Sequence, residues 1–334
     1  MTAPPGPVFR PGRSDAITDV PGVRVGHWTD RRGATGCTAI VVRGAPLAAV
    51  DARGGAPGTR ETDVLAGPNL VRRCDAVVFA GGSAFGLAAA SGVTRWCAEH
   101  GMGFDTTIRR VPIVPSAVIF DLAVGDPGAV PGEDAGYRAA AAARRGRIAT
   151  GSVGAGTGAT VAKLLGPERR VKGGLGTASL VGPRGLIVGA LVVANSVGLV
   201  TDPATGELVA GPFDDDGTML DLDATLARRP PRPESPAENT TLVCLATNAS
   251  LDHPALQRLA YQAHNGLART IQPVHTLGDG DIAFALATAV LDPSPDDALL
   301  AGVMAVRVVE RAIVRAVRDA RKLAGVRAAP LVVR

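Results

Sequence analysis

Asn239-Thr240-Thr241-Leu242-Val243-Cys244-Leu245-Ala246 is the stretch whose reading decides this chain. Behind it lies Arg228-Arg-Pro-Pro-Arg-Pro-Glu-Ser-Pro-Ala-Glu238, which is polar and rich in proline. Ahead of it runs an apolar segment of the length and composition of a buried strand. A hydroxyl residue at such a junction is where a chain can cut its own backbone and expose a new N-terminal threonine. That threonine would carry its own general base, because an α-amine titrates at roughly 7.7–8.0.

Working outward, residues 203–239 form the weakest part of the pattern, with a turn at Asp214-Asp-Asp-Gly217 and a proline-marked linker. Upstream, Leu186–Ala194 reads as a fully buried strand, and Ile17–Val20, Val23–Gly26, Thr38–Val42, Ala48–Asp51 and Ala76–Ala80 as shorter ones. A helix follows Gly81-Gly-Ser-Ala-Phe-Gly86 to about His100, and another spans about Ala135 to Arg145. Downstream of Thr240 the order is strand, helix, strand, helix. Asp252 is placed to cap the first of these helices, with Pro254 in its opening turn. Asp281–Thr288 reads as a strand. The last helix, from Asp296 to about Leu323, should bury Leu299, Val303, Val306, Ile313 and Val317. Strands and helices mixed without strict alternation favour an α+β layered fold over a doubly wound sheet.

Composition narrows the function. The chain has 334 residues, 46% of them hydrophobic but only 3% aromatic, so small side chains must carry the core. A net charge of +4, with arginine spread along the chain and aromatic stacking partners scarce, favours solubility over a nucleic-acid surface. Cys37, Cys74, Cys97 and Cys244 form no CxxC pair, which points to reduced core thiols. No charge-free apolar run approaches the ~18 residues of a membrane span. Met1-Thr-Ala-Pro-Pro-Gly-Pro carries no basic-then-apolar leader, so a cytoplasmic location is expected.

Several residues are placed for chemistry. Gly81-Gly-Ser-Ala-Phe-Gly86 does not fit a dinucleotide fingerprint, and Gly151-Ser-Val-Gly-Ala-Gly-Thr-Gly158 lacks the ending of a phosphate loop. Such glycine density lets backbone approach a substrate or another backbone. Lys163 and Lys172 follow it, two of three lysines in an arginine-rich chain, and either can stabilise an oxyanion. Asn195 ends the long apolar strand as an amide in an apolar setting, fastening a turn or donating to an oxyanion. Asp279-Gly280-Asp281 precedes a buried strand, with both carboxylates on one side if the chain is extended there. They could cap a turn, bind a metal, or hold an ammonium and a hydroxyl. No histidine pair is spaced to complete a metal site, and His264 and His275 read as structural.

Taken together, Ile17-Thr-Asp-Val-Pro-Gly-Val-Arg-Val-Gly26, Asp51-Ala-Arg-Gly-Gly-Ala-Pro-Gly58, Ala80-Gly-Gly-Ser-Ala-Phe-Gly86, Gly154-Ala-Gly-Thr-Gly158, Lys172-Gly-Gly-Leu-Gly-Thr-Ala-Ser179, Asn239-Thr-Thr241 and Asp279-Gly-Asp281 resemble the DmpA family of self-cleaving peptidases. That family holds L-aminopeptidase/D-esterases, β-peptidyl aminopeptidases and nylon-oligomer hydrolases. The resemblance implies a four-layer αββα sandwich in a single domain over residues 1–334. It implies a precursor cut between Asn239 and Thr240 into an α chain, 1–239, with a flexible linker over about 222–239, and a β chain, 240–334.

It further implies Thr240 as nucleophile with Lys163, Asn195, Asp279 and Asp281 around it, and Phe120, Gly156 and Lys172 at the substrate. Lys172 competes with Lys163 for its place. Asn-Thr at the cut and Asp-Gly-Asp later are shared with the nylon-oligomer branch, where a tyrosine stands in the place of Phe120. The implied enzyme hydrolyses a small peptide or linear amide, needs no cofactor or metal, and assembles as a homotetramer. A non-catalytic scaffold on the same fold and an acyltransferase stay open as alternatives.

Overall fold

The computed structural model describes residues 8–229 and 239–330. The main strands are β1 (Val23–Asp30), β2 (Thr35–Val42), β3 (Leu47–Ala52), β4 (Ala76–Ala80), β5 (Ser116–Val118), β6 (Gly174–Val181), β7 (Ile187–Asn195), β8 (Thr240–Thr247) and β9 (Ile282–Ala287). The helices are α1 (Ala89–Glu99), α2 (Glu133–Ala141), α3 (Leu222–Ala227), α4 (His253–Thr270) and α5 (Asp297–Arg318). A five-stranded sheet runs β1-β2-β4-β5 and ends on the short strand Thr59–Arg60. A six-stranded sheet starts from Arg10–Pro11 and runs β6-β7-β8-β9-β3. The pair β8 and β9 is parallel, as a strand–helix–strand crossover through α4 requires.

The two sheets face each other, and alternation along the strands builds three cores. Leu242, Cys244 and Ala246 of β8 point between the sheets and share that core with Ile40, Phe79 and Phe284. Val243 and Leu245 point the other way, against α4 and α5. Outside the smaller sheet, Cys37, Ala39 and Val78 pack on Ala90, Val93 and Ala139 of α1 and α2. The layers are therefore helix, sheet, sheet, helix, as expected from the sequence. Scarce aromatics are the reason the layers sit so close. A Cβ at Gly176 would run into the carbonyl of Ala312, so β6 lies directly against α5.

Three expectations need correction. Ile17–Val20 is no strand: Ile17–Asp19 forms a single helical turn, tied down by the Asp19 carboxylate, which accepts from the backbone N–H groups of Ser14 and Ala16. On α5 the buried stripe is Ala301, Met304, Ala305, Val308, Val309, Ala312, Ile313, Ala316 and Val317, whereas Leu299 and Val303 face outward. Where α5 approaches β6 most closely the helix presents alanine, with Ala312 O and Ala316 O against Gly176 and Gly174. The expected linker begins as a capped helix, α3, whose N-terminal Asp221 accepts from Ala224 N–H. Residues 230–238 of that linker lie outside the described residues. The four cysteines are free and buried. No helix among the described residues is long and apolar enough to cross a membrane.

Candidate active site

Thr240 is the first residue of β8 and belongs to the inter-sheet face by alternation with Leu242 and Cys244. It is only 5% exposed. Its Oγ1 donates to the carbonyl oxygen of Asn239 at 2.5 Å. The same carbonyl oxygen accepts the backbone N–H of Gly280 at 2.8 Å. Asn239 itself forms a parallel bridge with Asp279, so the residue before the junction is laid along the segment 278–280. Gly280 has to be glycine, because a Cβ there would sit 2.8 Å from Thr240 Oγ1 and 2.7 Å from Ala56 O.

Antiparallel register puts Asn195, the last residue of β7, directly across from Thr240. Its side chain is fully buried, and its orientation is set by its partners. Oδ1 accepts from Thr160 N–H at 3.0 Å and from Lys163 Nζ at 3.0 Å. The amide nitrogen therefore faces the other way and donates to Phe120 O at 3.3 Å. Lys163 also donates to the Asn195 carbonyl at 3.0 Å. An ammonium and an amide are thus joined beside the hydroxyl.

Both carboxylates of Asp279-Gly280-Asp281 are 1% exposed. Asp279 Oδ2 accepts from the N–H and the hydroxyl of Thr276, at 2.8 and 2.7 Å. Its Oδ1 has no hydrogen-bond partner among the described residues. Burial first, and then the charge of Asp281, pushes the Asp279 carboxyl above the usual range; Thr276 and the charge of Lys163 pull it back. Asp281 Oδ1 accepts from Thr241 N–H at 2.6 Å, and its Oδ2 from the N–H and ring Nδ1 of His275 at 3.1 and 2.8 Å.

Thr240, Asn195, Lys163, Asp279 and Asp281 are therefore gathered at one end of the sandwich, and Phe120 joins them through its backbone carbonyl. Gly156 and Lys172 are turned to other partners. A Cβ on Gly156 would collide with the backbone of Gly174 and Leu175. Lys172 is fully buried behind the site, and its Nζ donates to Thr157 O and Ala159 O at 2.8 and 2.6 Å. Burial brings its ammonium down to about 7. Of the two lysines, Lys163 is the one that reaches Asn195.

Two parts of the site escaped the sequence. His275 was read as structural, although it lies six residues before the carboxylate it binds. Asp51–Gly58 was a motif without a role. Its backbone N–H groups hold the turn 276–281: Arg53 to Asp281 O at 3.0 Å, Gly55 to Thr276 O at 3.3 Å, Ala56 to Asp279 O at 2.8 Å. A cavity of about 720 Å³ opens beside this segment, lined by Asp51, Pro57, His253, Arg258 and Tyr261 among others; Thr240 does not line it.

The model of peptidase family S58 matches residues 15–330. The chain belongs to peptidase family S58. It is 43% identical to an uncharacterized aminopeptidase of Mycobacterium leprae, over 93% of this chain and 92% of that one. It is 33% identical to a 6-aminohexanoate-oligomer endohydrolase of Kocuria, over 86% of this chain and 78% of that one. Among solved structures, the L-aminopeptidase D-Ala-esterase/amidase of Ochrobactrum anthropi superposes with a TM-score of 0.73 at 23% identity, covering 96% of this chain and 93% of that one. That structure is described as a variant of the N-terminal-nucleophile hydrolase fold. As a member of S58, this chain is a hydrolase of amide bonds on that fold.

Proposed function

We propose that the chain is a precursor that cuts itself before Thr240, and that Thr240 is then the nucleophile of an amide hydrolase. The observation that carries this reading is the hydroxyl of Thr240 lying against a carbonyl that Gly280 N–H already polarises. In the precursor, Oγ1 attacks the Asn239 carbonyl carbon and the amide nitrogen of Thr240 leaves with a proton, giving an ester. Water opens the ester, leaving a carboxylate on Asn239 and a free α-amine on Thr240.

In the mature enzyme that α-amine takes the hydroxyl proton as the oxygen adds to a substrate carbonyl. The Asn195 amide, held by Lys163, stabilises the oxyanion. The amine product leaves with the proton, and a water hydrolyses the acyl-threonine. The unpartnered Oδ1 of Asp279 is available to the new α-ammonium, a cation that the precursor lacks. The relatives favour two substrate classes, an N-terminal peptide residue and a 6-aminohexanoate oligomer; a panel of amino-acid p-nitroanilides, β-peptides and such oligomers separates them. The cleaved protomers are proposed to associate as a homotetramer, which light scattering tests.

The test of the nucleophile is Thr240→Ala. The expected product is one uncut polypeptide without amidase activity. Two fragments, or hydrolysis of any substrate that the parent cleaves, would refute the assignment.

A further inference from the structure

We propose that His275 is a positioning residue for this reaction: its Nδ1–H fixes the Asp281 carboxylate, and through it the peptide plane that follows the nucleophile. This rests on Thr240 being that nucleophile. Asp281 touches neither Thr240 Oγ1 nor its carbonyl partner; one carboxylate oxygen holds Thr241 N–H at 2.6 Å and the other holds His275 twice. The Thr240–Thr241 peptide is planar, so holding the Thr241 N–H sets the plane from which the Thr240 Cα and its hydroxyl project. A carboxylate only accepts, so a proton of the imidazole sits on Nδ1 and the ring is the donor. Hydrogen bonds to an ionised acceptor are the strong ones, and the acceptor here is a carboxylate only 1% exposed.

The ring is itself braced. His275 adopts a left-handed backbone, φ +55°, and its imidazole meets the edge of His264 with ring centroids 4.8 Å apart at 68°. His264, from α4, is 1% exposed, and its Nε2 lies 3.2 Å from Asp51 O and 3.3 Å from Asp51 Oδ2. Asp51 pairs with Arg53 at 2.8 Å, and Arg53 N–H returns to Asp281 O at 3.0 Å. The path closes on itself: Asp281, His275, His264, Asp51, Arg53, Asp281. Two of its members precede the proposed cut and three follow it, so it also spans the two chains. The other charged groups facing this ring are Asp279 and, through it, Lys163. Burial first, and then its neighbour His275, brings the His264 imidazole down to about 4.

Three substitutions separate a hydrogen bond from mere space filling. Asparagine accepts the left-handed backbone and places an amide N–H where Nδ1–H was; glycine accepts the backbone and donates nothing; glutamine carries its N–H one bond too far. His275→Asn is expected to keep kcat within about threefold of the parent. His275→Gly and His275→Gln are expected to lose about tenfold or more in kcat, with KM within about twofold and with unchanged circular dichroism. The imidazole nitrogen spectrum of the ¹⁵N-labelled parent is expected to show His275 protonated at Nδ1. A glycine variant with the parent's kcat, an asparagine variant as slow as glycine, or an Nε2–H tautomer would overturn the proposal. A parent chain that neither cuts itself nor hydrolyses amides refutes the proposed nucleophile instead, and the nitrogen spectrum then decides the Asp281 contact by itself.

Discussion

At the scale of single residues, what makes the site is the way each polar group is denied an alternative. The Oδ1 of Asn195 accepts from Thr160 N–H and Lys163, so the amide N–H pair is the part of the side chain that donates, to Phe120 O in this structure and to a substrate oxygen in the proposed reaction. Removing that donor should be felt mainly in the chemical step. Asn195→Ala is expected to lower kcat by about 10²–10³, the usual cost of one oxyanion donor. Steady-state kinetics on a chromogenic amide check it, and an effect confined to KM would contradict the role. Lys163 and Asp279 were legible in the sequence as rare or paired residue types. His275 was not, because a lone histidine carries no spacing signal, and its partner is recognisable only once Asp281 is seen facing back toward it.

At the scale of elements, the turn 276–281 is shaped by a second loop, 53–56. The N–H groups of Arg53, Gly54, Gly55 and Ala56 all point at its carbonyls. This is why Gly54 is constrained: a Cβ there would collide with Asp279 O and come within 2.5 Å of Asp281 N. Gly54→Ala should push the two loops apart, destabilise the protein by about 1–3 kcal/mol, as overpacking does, and lower activity together with it. Urea unfolding and an amidase assay on the same sample measure both; full activity at lowered stability would show that the turn does not depend on the clamp.

The strands that border the site were readable from their apolar runs, as β7, β8 and β9 demonstrate. β6 was not: the glycines and alanine of Gly174-Leu-Gly-Thr-Ala-Ser179 interrupt the run of β-branched residues that marks a strand, since its glycines answer to the packing of α5. On α5, Ile313 and Val317 are buried as read, whereas Leu299 and Val303 face outward and Ala301, Ala305, Ala312 and Ala316 take part in the buried stripe.

For the whole molecule, the sandwich hides two neutral histidines. His27 lies between the smaller sheet and the Gly154 turn and donates to or accepts from Thr38 Oγ1 at 2.9 Å. Burial, with Arg144 adding repulsion, brings it down to about 4 from 6.5. His264 is brought down to about 4 in the same way. A base whose folded value is depressed binds its proton more readily when unfolded. The stability it permits is therefore complete above pH 6.5 and is lost as the pH falls from 6.5 toward about 4. The buried carboxyls of Asp75 and Asp121, pushed up by burial, act in the opposite sense, so the histidine contribution is best read by difference. His27→Asn keeps a polar atom near Thr38 but cannot titrate. Its urea midpoint should fall less than the parent's between pH 6.5 and 4.5; parallel curves would remove His27 from the acid response.

The fold, then, supplies an end of a sandwich where one hydroxyl, one amide, one ammonium and two carboxylates meet over a single peptide bond. The most direct test of what that bond is for is the intact mass of the purified 334-residue protein, followed by N-terminal sequencing of its smaller fragment. The account predicts two masses and a fragment beginning Thr240-Thr241-Leu242. A single full-length mass in a preparation that hydrolyses amides, or a fragment that begins at any other residue, would contradict it.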